Sequence, residues 1–136
     1  MSEAFRAVTA DVFLDTFDNV FPGGSVLEIR SGEGAGPERE PAGKLLATVK
    51  LPAEPWLRST AGLKAIAREW EGVGVGDGEA GHYRLRDAAD THRVEGVVRK
   101  KSADPTLDRV SGALVLDNTN IAPDQAVVIK VFSRGL

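Results

Sequence analysis

Lys44-Leu45-Leu46-Ala47-Thr48-Val49-Lys50-Leu51 is the stretch that decides the fold class. Leu45, Ala47, Val49 and Leu51 fall on one face of an extended chain, whereas Lys44, Thr48 and Lys50 fall on the other. A period of two with one apolar side is a strand packed on one face. Pro52 and Pro55 end it, because proline cannot donate to a central ladder.

The same alternation recurs on both sides of this strand. Upstream, Leu27 and Ile29 alternate with Glu28 and Arg30 before a Gly/Pro-rich loop from Ser31 to Gly43. Downstream, residues 64–76 fit either a helix bearing Ala65, Ile66, Ala67 and Trp70 or a strand in which Ile66, Arg68 and Trp70 alternate. Gly72, Gly74, Gly76 and Gly78 weaken a helix and suit extended chain with close backbone neighbours, which favours the strand. Tyr83 and Leu85 alternate with His82, Arg84 and Arg86. The pattern resumes at Val94 after Asp87-Ala88-Ala89-Asp90, which reads as a hairpin pairing Tyr83 with Val94 and Leu85 with His92. A break at Ser102–Thr106 precedes Ala113-Leu114-Val115-Leu116, and the Asp117-Asn118-Thr119-Asn120 turn and Pro123 lead into Gln125–Phe132.

One helix is expected near the start, where Phe13, Phe17, Val20 and Phe21 share a face, Thr9 suits the N-cap and Pro22-Gly23-Gly24 stops the chain. The resulting expectation is a mainly β, single domain over 1–136. Its parts are a helical segment at 1–21 and an antiparallel β-sandwich or jelly roll at 25–133. Leu45, Val49, Leu85, Val94, Leu114, Leu116, Val127, Ile129 and Val131 are the expected core.

Composition narrows the chemistry. Hydrophobic residues make up 42% of the 136 and charged residues 27%, enough apolar material for one core. With no cysteine, disulfides, thiolate metal sites and cysteine nucleophiles are excluded. The N-terminus lacks a basic segment followed by an apolar one and no apolar run reaches the ~20 residues of a membrane span. The chain is therefore expected to be made and kept soluble in the cytoplasm. Residues 1–42 hold eight acids and three bases, against seven bases and five acids in 82–110, an asymmetry able to orient neighbouring copies.

No constellation for catalysis emerges. Gly76-Asp77-Gly78-Glu79-Ala80-Gly81 has the G-x-G-x-x-G spacing, but an alternating strand follows it and its two acids repel phosphate. His82 and His92 are expected on opposite faces, so they do not share a metal. Asp117–Asn120 lacks the glycine and distant glutamate of a calcium loop, and no serine sits in a nucleophile elbow. Arg99-Lys100-Lys101, with Arg84, Arg86 and Arg93, is the one basic cluster. The net charge of -3 argues against nucleic acid, leaving a solvated strand end or a protein contact. No cofactor, metal, nucleic acid or membrane is expected.

Four phrases carry a resemblance: Val26-Leu27-Glu28-Ile29-Arg30-Ser31-Gly32, Gly43-Lys44-Leu45-Leu46-Ala47-Thr48-Val49, Ala80-Gly81-His82-Tyr83-Arg84-Leu85-Arg86-Asp87 and Leu114-Val115-Leu116-Asp117-Asn118-Thr119-Asn120-Ile121. In this order they resemble a family of small virion structural proteins of tailed bacteriophages and prophages. That resemblance implies a homo-oligomeric subunit present in many copies, with the major capsid protein or other virion subunits as partners and the virion as its location. A head decoration protein is favoured over a minor tail or baseplate protein; a carbohydrate-binding module is the competing class, and an enzyme comes third. Assembly contacts are expected from the N-terminal segment (Phe5, Phe13, Phe17 and Phe21) and from the Ser31–Gly43 loop (Glu33 and Arg39).

Overall fold

The computed structural model describes residues 20–56, 63–100, 113–129 and 131–135. Ten strands cover most of them: β1 Val26–Ser31, β2 Leu45–Lys50, β3 Leu63–Ala65, β4 Trp70–Gly74, β5 Gly78–Arg86, β6 Arg93–Lys100, β7 Ala113–Leu116, β8 Asn120–Ile121, β9 Ala126–Ile129 and β10 Val131–Gly135. The chain is mainly β, as its alternation dictates. Residues 1–19, with Phe5, Phe13 and Phe17 and most of the expected helix, lie outside the described residues, as does the 102–106 break.

All the strands belong to one sheet, ordered β3-β10-β7-β6-β5-β1-β2-β4-β9, with β8 pairing onto the start of β5. β9 ends at Ile129 and β10 begins at Val131, so one length of chain pairs with β4 on one side and β7 on the other. The path thereby comes round almost to a closed barrel, and a closed sheet has no wall edge to protect. This corrects the expected two-sheet sandwich. It also corrects the expected all-antiparallel pairing, because β6 and β7 run parallel, Val97 opposite Ala113 through Lys100 opposite Leu116. A parallel pair needs a crossover of about a dozen residues rather than a tight turn, and residues 101–112 supply that length.

Period-two side chains fill the interior. Leu27 and Ile29, Ala47 and Val49, Tyr83 and Leu85, Leu114 and Leu116, and Val127 and Ile129 are all buried, and Val94 packs against them. Trp70 and Phe132 sit at their centre with ring centroids 5.7 Å apart. The Tyr83 ring meets Phe132 edge-on at 5.0 Å, and Trp56 meets Trp70 edge-on at 5.1 Å. Trp56 Nε1 donates to the Phe21 carbonyl at 2.9 Å, tying the chain before Pro22 to this cluster.

One core expectation shifts by a residue. The β1–β2 ladder pairs Ile29 with Ala47 and then Arg30 with Leu45, so a bulge leaves Leu46 as the fully buried leucine and Leu45 half-buried. Val131 lies in β10, and its side chain is outside the described part. The extended reading of 64–76 holds in two pieces, β3 and β4, with residues 66–69 outside both; within β4 a Cβ at Gly72 would lie 2.4 Å from the Thr48 oxygen and one at Gly74 2.0 Å from that of Ala122. Of the Gly76–Gly81 segment, Gly76 and Asp77 lie in the short connection from β4 and Gly78–Gly81 begin β5, with the Asp77 carbonyl accepting a bond from Lys44 Nζ.

Leu116, in the parallel pair opposite Lys100, is 2% exposed. Leu116→Ala is expected to destabilise the domain by ~2–5 kcal/mol in equilibrium denaturation. A loss well under 1 kcal/mol would place that side chain outside the core.

Candidate functional site

The outward residues of β5 and β6 form the most organised polar cluster. His82, Arg84 and Arg86 leave the same face of β5, and the register sets Arg84 opposite both Glu95 on β6 and Glu28 on β1. Opposite charges facing one another across a ladder attract. Arg84 Nη1 donates to Glu95 Oε2 at 2.8 Å, with side-chain exposures of 3% and 7%. Glu28 accepts from Arg30 Nε at 2.9 Å and from Arg86 Nε at 3.3 Å.

Burial of Arg84 and Glu95 comes from the Ser31–Gly43 loop, which folds over them. Arg84 Nη2 donates to the carbonyls of Pro37 at 3.0 Å and Arg39 at 2.8 Å. Glu95 Oε1 accepts the Gly36 N–H at 2.8 Å. His82, 2% exposed, bonds through Nδ1 to the Gly32 carbonyl at 2.9 Å, so that nitrogen carries the proton. Two backbone carbonyls and one N–H of the loop thus meet a charged partner, and such bonds are roughly twice as strong as neutral ones. At the base, Ser31 N–H donates to the Lys44 carbonyl at 3.0 Å, and Lys44 N–H to Ser31 Oγ at 2.9 Å. Gly43 adopts φ +69° there, and a Cβ would lie 2.0 Å from the Ser31 oxygen, so only glycine fits.

The expected contact residues separate. Glu33 and Arg39 lie on this loop with exposed side chains, and the Arg39 carbonyl is one of the anchors. Phe21 is 2% exposed within the domain's own core and offers no surface to a neighbour. The loop is seated on the barrel, not extended from it. Sequence reasoning does not bring His82, Arg84 and Glu95 together as a group; the one available signal is the polar alternation of β5 facing Glu95, which depends on the β5–β6 register.

That register sets Leu85 opposite Val94 and Tyr83 opposite Gly96, two residues from the expected pairing. His92 consequently lies in the turn, where Asp87 gathers the Thr91 N–H at 2.7 Å, the His92 N–H at 3.2 Å and His92 Nδ1 at 3.0 Å. Asp90, at φ +58°, pairs with Arg93 Nε at 2.7 Å. Three members of the basic cluster are therefore engaged within the domain, Arg84 with Glu95, Arg86 with Glu28 and Arg93 with Asp90, whereas Arg99 and Lys100 are exposed at the end of β6. Lys101 lies outside the described residues.

Remaining surface features are simple. Asn118 Oδ1 accepts the Asn120 N–H at 3.0 Å, a local turn bond. Among the described residues no group of three or more His, Cys, Asp or Glu side chains is placed to share a metal, and no helix is long and apolar enough to cross a membrane. A shallow open hollow lies on the outer face of β1, β2 and β4, between Val26, Lys50, Glu71, Val73 and Arg86.

Comparison of the chain with protein-family models, curated proteins and solved structures finds no match.

The turn carries a pH signature. The His92 ring, then the His92 and Thr91 N–H groups, hold Asp87 below the ordinary aspartate value, and Arg93 does the same for Asp90. Stabilisation from a lowered carboxylate is present above the unfolded value and is lost as pH falls through the folded one. Acidification below the ordinary aspartate range is thus expected to shift the Thr91 and His92 amide resonances together while the β1–β5 ladder amides stay in place. Both carboxylates are solvent-facing, so the effect is small and weakens with salt. Unmoved turn amides would contradict the assignment.

Proposed function

We propose that this chain is a structural subunit of a tailed-phage particle, a head decoration protein that binds the capsid surface in many copies with the major capsid protein as its partner. In this reading it is made in the host cytoplasm, ends in the virion and associates with further copies of itself. The four-phrase resemblance suggests the setting. The observation that carries the reading is the seated loop, whose buried charges hold the backbone of residues 32–39 and leave Glu33, Glu38, Arg39 and Glu40 exposed. A preformed loop loses little conformational freedom on docking. Repetition over a lattice multiplies weak contacts by ~10²–10⁴ when the geometry permits.

The buried aromatics weigh against the carbohydrate module. Sugar sites use exposed aromatic platforms, and both tryptophans and the one tyrosine of the chain, Trp56, Trp70 and Tyr83, are buried.

The test is incorporation. Particles from the strain that carries the gene, separated into heads and tails and analysed by quantitative mass spectrometry, are expected to hold the protein in the head fraction in many copies. A triple variant, Glu33→Lys, Glu38→Lys and Glu40→Lys, should fold and incorporate poorly. Presence in tails alone would favour the baseplate alternative, and absence from particles would overturn the reading.

A further inference from the structure

We propose that residues 32–43 form a polar latch that opens and closes as a unit while the barrel stays folded. The inference stands apart from the particle reading, because it concerns how this loop is held and not what it meets.

Three observations carry it. None of residues 32–43 belongs to the hydrophobic core, so opening takes no side chain of the loop out of it; Pro37 and Glu38 only line an open hollow beside Phe21 and Val94. The contacts that hold the middle of the loop are polar: Arg84 with the Pro37 and Arg39 carbonyls, Glu95 with the Gly36 N–H, and His82 with the Gly32 carbonyl. When these part, the guanidinium and carboxylate recover the hydration that burial removed, which offsets much of the lost attraction. Finally, the loop is bounded by glycines with positive φ, Gly32 at +72° and Gly43 at +69°, and Gly36 at +113° lies between them. Glycine crosses between backbone regions with little steric penalty, so both ends can serve as hinges.

The barrel supplies a fixed frame for this motion. Immediately outside the hinges, Ser31 and Lys44 are bonded backbone to backbone and through Ser31 Oγ, and Arg30 Nη1 reaches the Gly43 carbonyl at 3.4 Å. Opening therefore stops at the base, and the β1–β2 and β1–β5 ladders continue beneath it. The open form presents Arg84, Glu95 and His82 beside Val97, which pairs with His82 and is already exposed. Local openings of this kind are drawn from segments with few apolar contacts.

Gly34 provides a wedge. A Cβ there would lie 2.5 Å from Glu95 Oε1 and 3.2 Å from His82 Cδ2, against side chains committed to the seat. Gly34→Ala should push the latch open without touching the barrel wall. Glu95→Gln weakens the same seat from the other side by removing the charge.

The test is amide hydrogen exchange of the full chain across a series of low urea concentrations. In the wild type, the Gly36 amide, which bonds across the seat, is expected to exchange with little urea dependence, while Leu27 and Tyr83 amides exchange slowly and faster as urea rises. In Gly34→Ala and in Glu95→Gln, loop exchange should accelerate by roughly 10- to 100-fold, the loss of a hydrogen bond to a charged group, with the barrel amides still protected when the loop has exchanged. Loop amides that share the urea dependence of the barrel, or variants that leave loop exchange unchanged, would overturn the proposal. If both variants unfold the whole chain, loop and barrel are one cooperative unit and the proposal is equally overturned.

Discussion

The Arg84 guanidinium bonds Glu95 across the sheet and two loop carbonyls above it, and the shape of the surface on this side of the molecule follows from that arrangement. A buried cation without partners is strongly unfavourable, and Arg84 receives its partners from β6 and from the loop. β6 brings Glu95 opposite, and the loop leaving β1 caps the pair from outside. In the closed form the chain before Lys44 is thereby held on the barrel surface. What this face shows to solvent is a set of exposed loop carboxylates and Arg39, held over a buried ionic pair.

Beneath that pair the sheet comes round almost to closure. One continuous length of chain pairs with β4 through β9 and with β7 through β10, and the central aromatics Trp70, Tyr83 and Phe132 come from three different strands of the same wall. With the interior filled by them, the polar residues of β5 have one direction left, outward under the loop. The glycines of β4 serve the same closure, since at Gly72 and Gly74 the neighbouring backbone comes too near for any side chain.

Much of this was legible in the sequence. The period of two marked β1, β2 and β5, the breaks and turns at 102–106, 117–120 and Pro123 marked off β7 and β9, and the glycine series marked β4 as extended chain. Other features were not, for physical reasons. The bulge between Ile29 and Arg30 moves burial from Leu45 to Leu46, and alternation alone cannot show an extra residue. The parallel pairing of β6 with β7 is a matter of topology, and short apolar runs carry no sign of strand direction. His82, Arg84 and Glu95 read as a solvated face because polar residues on a half-packed strand normally are. Their burial depends on a loop some 45–59 residues away in the chain, which no local pattern reports. The aspartates at 87 and 90 marked the turn correctly, yet the side-chain bonds of Asp87 lengthened it and moved the register by two residues.

The coupling between Arg84 and Glu95 tests the central claim most directly. A double-mutant cycle with Arg84→Met, Glu95→Leu and the double variant, followed by urea denaturation, isolates that coupling from the cost of each substitution alone. The account predicts that the double variant is more stable than the two single losses summed, by at least ~1 kcal/mol, as for residues sharing one buried network. Losses that add to within ~0.5 kcal/mol would contradict it, because independent side chains could not be what seats the loop.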